Sequence, residues 1–247
     1  MRNITDTVKH LIIINVIFFL GASLFGDLFY GWFSLWFPKN EHFGLWQVVT
    51  HMFMHGGLMH LFFNMYALFA FGTPLEQQWG RQKFLFFYFS AGIGAALLHT
   101  GVNYFYVQQA LDALGSSGVD PNEALELVRS GRYNTQWYSM ADASTINNFL
   151  SAMNTPAVGA SGAIYGVLVA FGMAYPNSQL FLMFVPVPVK AKYFIPGLIA
   201  LDLFSGVTGY SLFGSGIAHF AHVGGALIGF LMAWYWKKNQ FNNHRWN

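Results

Sequence analysis

The sequence has no cysteine and little charge. Without cysteine there is no disulfide, no thiolate zinc site and no cysteine nucleophile, and thiol usage carries no message about compartment. Only 9% of the 247 residues are Asp, Glu, Lys or Arg, against about a quarter in a soluble domain, which excludes a water-solvated surface around a single core. The net charge of +2 is too small to suggest a nucleic-acid partner. What remains is apolar: 55% hydrophobic residues, 19% aromatic residues, 26 glycines and a mean hydropathy of +0.40. That mixture suits lipid-facing surfaces, interfacial aromatic belts and close helix contacts, so the expected fold is an all-α polytopic membrane protein surrounded by membrane lipids.

A helix needs about 20 mostly apolar residues to cross a bilayer. Six such stretches lie near residues 11–29, 56–73, 84–100, 159–175, 193–210 and 217–236. The first also has the form of a signal peptide, with Lys9 before a short apolar run and the small residues Gly21, Ala22 and Ser23 after it; Phe29, Tyr30 and Trp32 favour a full span instead. Lys and Arg are retained on the cytoplasmic side. Arg2, Lys9, Arg81, Lys83, Lys190, Lys192, Lys237, Lys238 and Arg245 fall on one side of these spans, and only Lys39, Arg129 and Arg132 on the other. Both termini are therefore expected inside, and the second, fourth and sixth helices start outside. The organisation expected is one membrane domain over 1–247 with an external insertion at about 101–157, where the spacing of Ala124, Leu125 and Val128 predicts a short helix after Pro121. The first loop, about 30–55, is rich in Trp and Phe and is expected to lie partly in the interface.

Ionisable or strongly polar groups inside membrane helices are costly, and each is a candidate for function. His60 and Asn64 are four residues apart and share one face of the second helix. Ser161 and Tyr165 repeat that spacing in the fourth, where Gly159 and Gly162 leave the serine accessible; Gly225 and Gly229 after His222 make a G-x-x-x-G face for close packing in the sixth. All three helices start outside, so a hydroxyl, an imidazole and an amide meet at similar shallow depth. The chemistry open to them is nucleophilic acyl transfer: His222 takes the Ser161 proton, and Asn64, His60 and the Ser161 backbone N–H stabilise the oxyanion. Asp202 falls near the middle of an oppositely running helix, so its depth fits a third member of the set poorly. A catalytic metal is not expected. The spacings of His51, His55 and His60, or of His219 and His222, permit one, but no carboxylate lies among them and no H-E-x-x-H pattern exists. His51 and His55 are expected to hydrogen-bond within the first loop and the start of the second helix.

These motifs together resemble the rhomboid intramembrane serine proteases: His51-x-x-x-His55-x-x-x-x-His60-x-x-x-Asn64, Gly159-Ala160-Ser161-Gly162 and Ala221-His222-x-x-Gly225-x-x-x-Gly229, in this order along nearly the whole chain. The resemblance implies a six-helix bundle of the bacterial inner-membrane type and a Ser–His dyad, with Ser161 as nucleophile and His222 as base. It also implies that His60 and Asn64 line the oxyanion hole and that Tyr165 packs beside the imidazole. Glu76 matches a position that ties helices together. The activity implied is cleavage of transmembrane protein substrates near the outer face without a cofactor; nothing specifies an oligomeric state. Two departures stand out. Trp46 is followed by Gln47 where many members carry arginine, so the anchoring role of that arginine is expected to be absent, and the stretch 101–157 is longer than in minimal members. The competing reading is a catalytically silent rhomboid-like binding protein, a chaperone or a small transporter; intact Ser161 and His222 argue against the silent form, and the single intramembrane Asp202 against a transporter.

Overall fold

The computed structural model describes residues 3–182, 185–210 and 218–239. The first rod, α1, spans Asp6–Phe25. Its first turn is tied down from afar, because Thr7 N and Val8 N donate to Glu76 Oε1 and Oε2 at 3.1 and 3.0 Å, which satisfies two of the donors that a helix start leaves unpaired. The rod stops at Gly26, whose φ of +54° suits glycine, and a separate short helix, α2, follows at Asp27–Phe33. Phe29, Tyr30 and Trp32 thus do not extend the first span, as the sequence had suggested. α1 gains its length at the other end, by starting at Asp6.

The first loop continues through α3 (Gln47–Thr50) and a 3-10 turn at His51–Phe53. Then comes a continuous rod over Leu58–Trp79, built from α4 (Leu58–Ala67), a π turn at Leu68–Gly72 and α5 (Thr73–Trp79). Pro74 at the start of α5 explains the wide turn. Proline has no N–H to give and its ring crowds the carbonyl four residues back, and an i→i+5 turn accommodates both. The third rod, α6, runs over Arg81–Ser116, sixteen residues beyond its expected end at 100.

That extension anchors a second core. With α7 (Pro121–Arg129), a 3-10 turn at Thr135–Ser139 and α8 (Ala143–Asn154) it buries Val107, Leu114, Val128, Trp137, Ile146 and Phe149. The stretch 101–157 is therefore a small helical unit rather than a loop. The helix expected after Pro121 is present, with the Asp120 side chain accepting from Asn122 N at 2.8 Å. Phe37 of the first loop joins this core, and Asn40 Nδ2 donates to Met153 O at 2.8 Å.

The last three rods are α9 (Ser161–Ala174), α10 (Ala191–Thr208) and α11 (His219–Asn239). Between α9 and α10 lies an antiparallel pair, β1 (Gln179–Leu182) and β2 (Val185–Lys190). An all-helical reading did not include this ribbon, although alternating Val and Pro over 185–189 disfavours helix. Helices α6, α9 and α11 form the middle of the bundle. A Cβ on Gly225 would collide with Gly162 O, and one on Gly229 with Gly166 Cα, so these two backbones are in direct contact. On the outside, α1 presents Ile17 and Leu24 at 59% and 78% exposure, a surface suited to lipid rather than water. Asp6–Phe25, Leu58–Trp79 and Arg81–Ser116 are each long and apolar enough to cross a membrane. The 14-residue α9 is shorter, and nine of its residues are buried, in keeping with its central place. The architecture is a polytopic, rhomboid-like membrane bundle with a helical unit on one end.

Candidate active site

Ser161 is the first residue of α9 and His222 the fourth of α11. The glycine contact between these helices brings their starts together. Ser161 Oγ lies 2.8 Å from His222 Nε2, within hydrogen-bond reach for a nucleophile and its base. As the first helical residue, Ser161 also has a backbone N–H with no acceptor inside its own helix. Both residues are only partly buried.

One group from the second rod approaches the serine, and a second lies one helical turn further along that rod. A Cβ built on Gly159 would sit 2.9 Å from the His60 ring and 3.4 Å from Ser161 Oγ, so the glycine leaves room in which the imidazole and the hydroxyl converge. Asn64 is buried, and its Nδ2 is one of the few buried side-chain donors without a partner among the described residues. An unpaired buried amide is unfavourable, and this one lies one helical turn along the second rod from His60. Tyr165, one turn along α9 from Ser161, stacks on the His222 ring with centroids 4.2 Å apart and planes at 12°.

Asp202, whose depth estimated from the sequence fits the set poorly, joins it in the structure. Asp202 Oδ1 accepts from His222 Nδ1 at 3.1 Å and from His219 Nδ1 at 2.6 Å, while Oδ2 accepts from the Tyr165 hydroxyl. The depth estimate failed because α10 ends at Thr208, only six residues past Asp202, or about 9 Å at 1.5 Å per residue. Depth also had to be counted differently for Ser161, which opens its helix and is covered by loop rather than by preceding helical turns. One signal in the sequence was available: Asp202 is one of only two acidic residues within the six expected spans, and the other, Asp27, lies at the edge of the first.

The other histidines are accounted for locally. His51 and His55 precede the second rod rather than belonging to it. His51 Nδ1 donates to Gln47 O at 2.8 Å, and His51 O accepts from Gly159 N at 2.9 Å, which ties the first loop to the segment before Ser161. His55 Nδ1 contacts Phe53 O at 3.3 Å. The Asn103 amide donates to His99 Nε2 at 3.2 Å. Burial holds the ring of His51, and that of His55, at a pKa of about 4, so both are neutral near pH 7.

Gln47 overturns another expectation. It is fully buried, its Nε2 donates to Gly31 O, Trp32 O and His42 O at 3.1, 3.3 and 2.7 Å, and its Oε1 accepts from Trp36 N at 3.2 Å. An amide thus provides the loop anchoring that the missing arginine was expected to leave vacant. Asp202, His219 and His222 present ligand atoms within 4.8 Å of one another, the arrangement among the described residues best able to hold a cation. Binding one there would require both Nδ1 protons to leave and the hydrogen bonds to Asp202 to be given up. The sequence expected no metal here because it placed no carboxylate beside these histidines; Asp202 supplies one.

A sequence model of the rhomboid domain matches residues 42–120 and 133–239, leaving out all of α7. Rhomboid protease AarA of Providencia stuartii is 29% identical over 197 residues, 76% of this chain and 54% of that protein. Rhomboid protein 1, mitochondrial, of Saccharomyces cerevisiae is 25% identical over 192 residues, covering 78% and 42%. Presenilin-associated rhomboid-like protein A, mitochondrial, of Danio rerio is 28% identical, covering 76% and 36%. The chain spans about half or less of the length of these relatives. Since the domain match takes in most of the chain, including both helices that meet at Ser161 and His222, the chain belongs to the rhomboid family.

Proposed function

We propose that this chain is an intramembrane serine endopeptidase that cleaves transmembrane protein substrates near the outer membrane face. The observation that carries the reading is the 2.8 Å approach of Ser161 Oγ to His222 Nε2; the buried Asn64 amide, which has no partner among the described residues, supports it. His222 accepts the Ser161 proton as Oγ attacks the scissile carbonyl carbon. The Asn64 amide, His60 and the Ser161 N–H stabilise the oxyanion, and His222 then delivers its proton to the leaving amine. Water hydrolyses the acyl-enzyme by the same path in reverse. Side chains and one backbone N–H supply all of this chemistry, so no cofactor is invoked.

A helix hides its carbonyls in its own hydrogen bonds, so the substrate segment must unwind before it reaches Ser161. Segments carrying small or helix-breaking residues at that depth are the favoured substrates. The gate is assigned to α10, with Pro196 inside it and Gly206 against the Phe220 ring, and to the loop that follows; of that loop, 211–217 lies outside the described residues. Residues 1–247 form one membrane domain with the external insertion at 101–157. The bilayer is a bacterial inner membrane with both termini cytoplasmic, as the placement of Lys and Arg supports.

Incubation of the purified chain in detergent with a model transmembrane substrate tests the proposal. The wild type cleaves it and Ser161→Ala does not, while both give the same thermal transition. Equal cleavage by the two would refute the assignment.

A further inference from the structure

The family resemblance supplies a serine and a histidine and leaves the far nitrogen of the imidazole unassigned. Here that nitrogen faces a carboxylate. We propose that Asp202 is a positioning residue for His222, making the site an Asp–His–Ser triad assembled from three different helices; this rests on the hydrolase reading above.

Three observations carry it. Asp202 is 6% exposed, and a buried carboxylate is tolerable only where its charge is met by donors. It has three, the Nδ1 atoms of His222 and His219 on Oδ1 and the Tyr165 hydroxyl on Oδ2. Because an ionised carboxylate only accepts, His222 Nδ1 must carry the proton. That leaves Nε2 bare and directed at Ser161 Oγ, the tautomer a general base needs.

The second observation is the stack of Tyr165 on His222. The tyrosine holds the face of the imidazole with its ring and the carboxylate with its hydroxyl, so one side chain fixes two members of the set. The third is His219, which occupies the same oxygen as His222 and keeps it from turning toward another donor. In the reaction the Ser161 proton moves to Nε2 as the Oγ–carbon bond forms. The Nδ1 proton stays where it is, and Asp202 stays ionised against the imidazolium.

Asp202→Asn keeps the size of the side chain and replaces the acceptor with an amide that can donate to Nδ1, which favours the tautomer with Nε2 protonated. Steady-state cleavage of the transmembrane substrate by the full chain in detergent is expected to show kcat reduced about a hundredfold or more with KM within about threefold. Asp202→Glu is expected to regain part of the loss. A folded Asp202→Asn protein within about threefold of wild type in kcat would overturn the proposal while leaving the hydrolase reading intact. Inactive wild type, or active Ser161→Ala, would instead overturn that reading. If the variant does not fold, nitrogen-15 NMR of the histidine-labelled wild type decides: His222 protonated at Nδ1 supports the assignment, and protonation at Nε2 in the neutral ring contradicts it.

Discussion

His51 and His55 are buried outside the membrane-crossing rods, and burial keeps each ring neutral down to a pKa of about 4, whereas an unfolded chain protonates them near 6.5. Between those values the unfolded state binds more protons than the folded one, so stability rises with pH through this window and falls as pH drops from 6.5 toward 4. Each ring contributes on the order of 3 kcal/mol across the full interval. The thermal midpoint in detergent is accordingly expected to fall steeply on acidification from pH 6.5 to 4.5. His51→Gln should flatten that dependence, and an equally steep fall in the variant would contradict this cause. At this scale the sequence was partly legible. Ser161, His222, His60 and Asn64 could be singled out as candidates because polar groups in apolar helices are scarce and their spacings place them on defined faces. Gln47 and Asp202 could not be assigned, since their roles depend on which backbone carbonyls and ring nitrogens surround them, and no helical period encodes that.

Among the elements, the contact of α9 with α11 decides the geometry of the site. Gly162 O lies where a Gly225 side chain would be, and Gly166 Cα where a Gly229 side chain would be. Gly225→Ala must push the two backbones apart, which as overpacking costs about 1–3 kcal/mol. The expected result is a lower thermal midpoint together with a loss of cleavage larger than the loss of folded protein, because the separation also lengthens the Ser161–His222 contact. Unchanged activity in a fully folded Gly225→Ala sample would show that the helices tolerate a wider gap. The G-x-x-x-G pattern made this contact readable in advance. The end of α1 was marked only by the pair Gly26-Asp27, which interrupts an apolar stretch that resumes at Leu28. α8 was readable and missed: Ile146, Phe149, Leu150 and Met153 follow the helical period within a polar stretch.

At the scale of the whole molecule, the bundle carries a second core on the end where the candidate-site helices α9 and α11 begin, joined to the first loop through Phe37 and Asn40. The composition made the bundle legible, since so little charge leaves few surfaces that water can solvate. The external unit was legible only as a polar interval, because its core is closed by an extension of α6 and by a residue from far earlier in the chain. The absence of cysteine allows the orientation to be tested cleanly. With single substitutions Asn134→Cys and Lys238→Cys, an impermeant maleimide added to intact cells is expected to label the first and spare the second; the reverse would invert the topology. The most direct test of the account as a whole is to react the folded protein with a fluorophosphonate probe and locate the adduct by peptide mass spectrometry. The account predicts one adduct, on Ser161, that disappears in His222→Ala, whereas a well-folded sample that stays unlabelled at Ser161, or labels equally without His222, would contradict it.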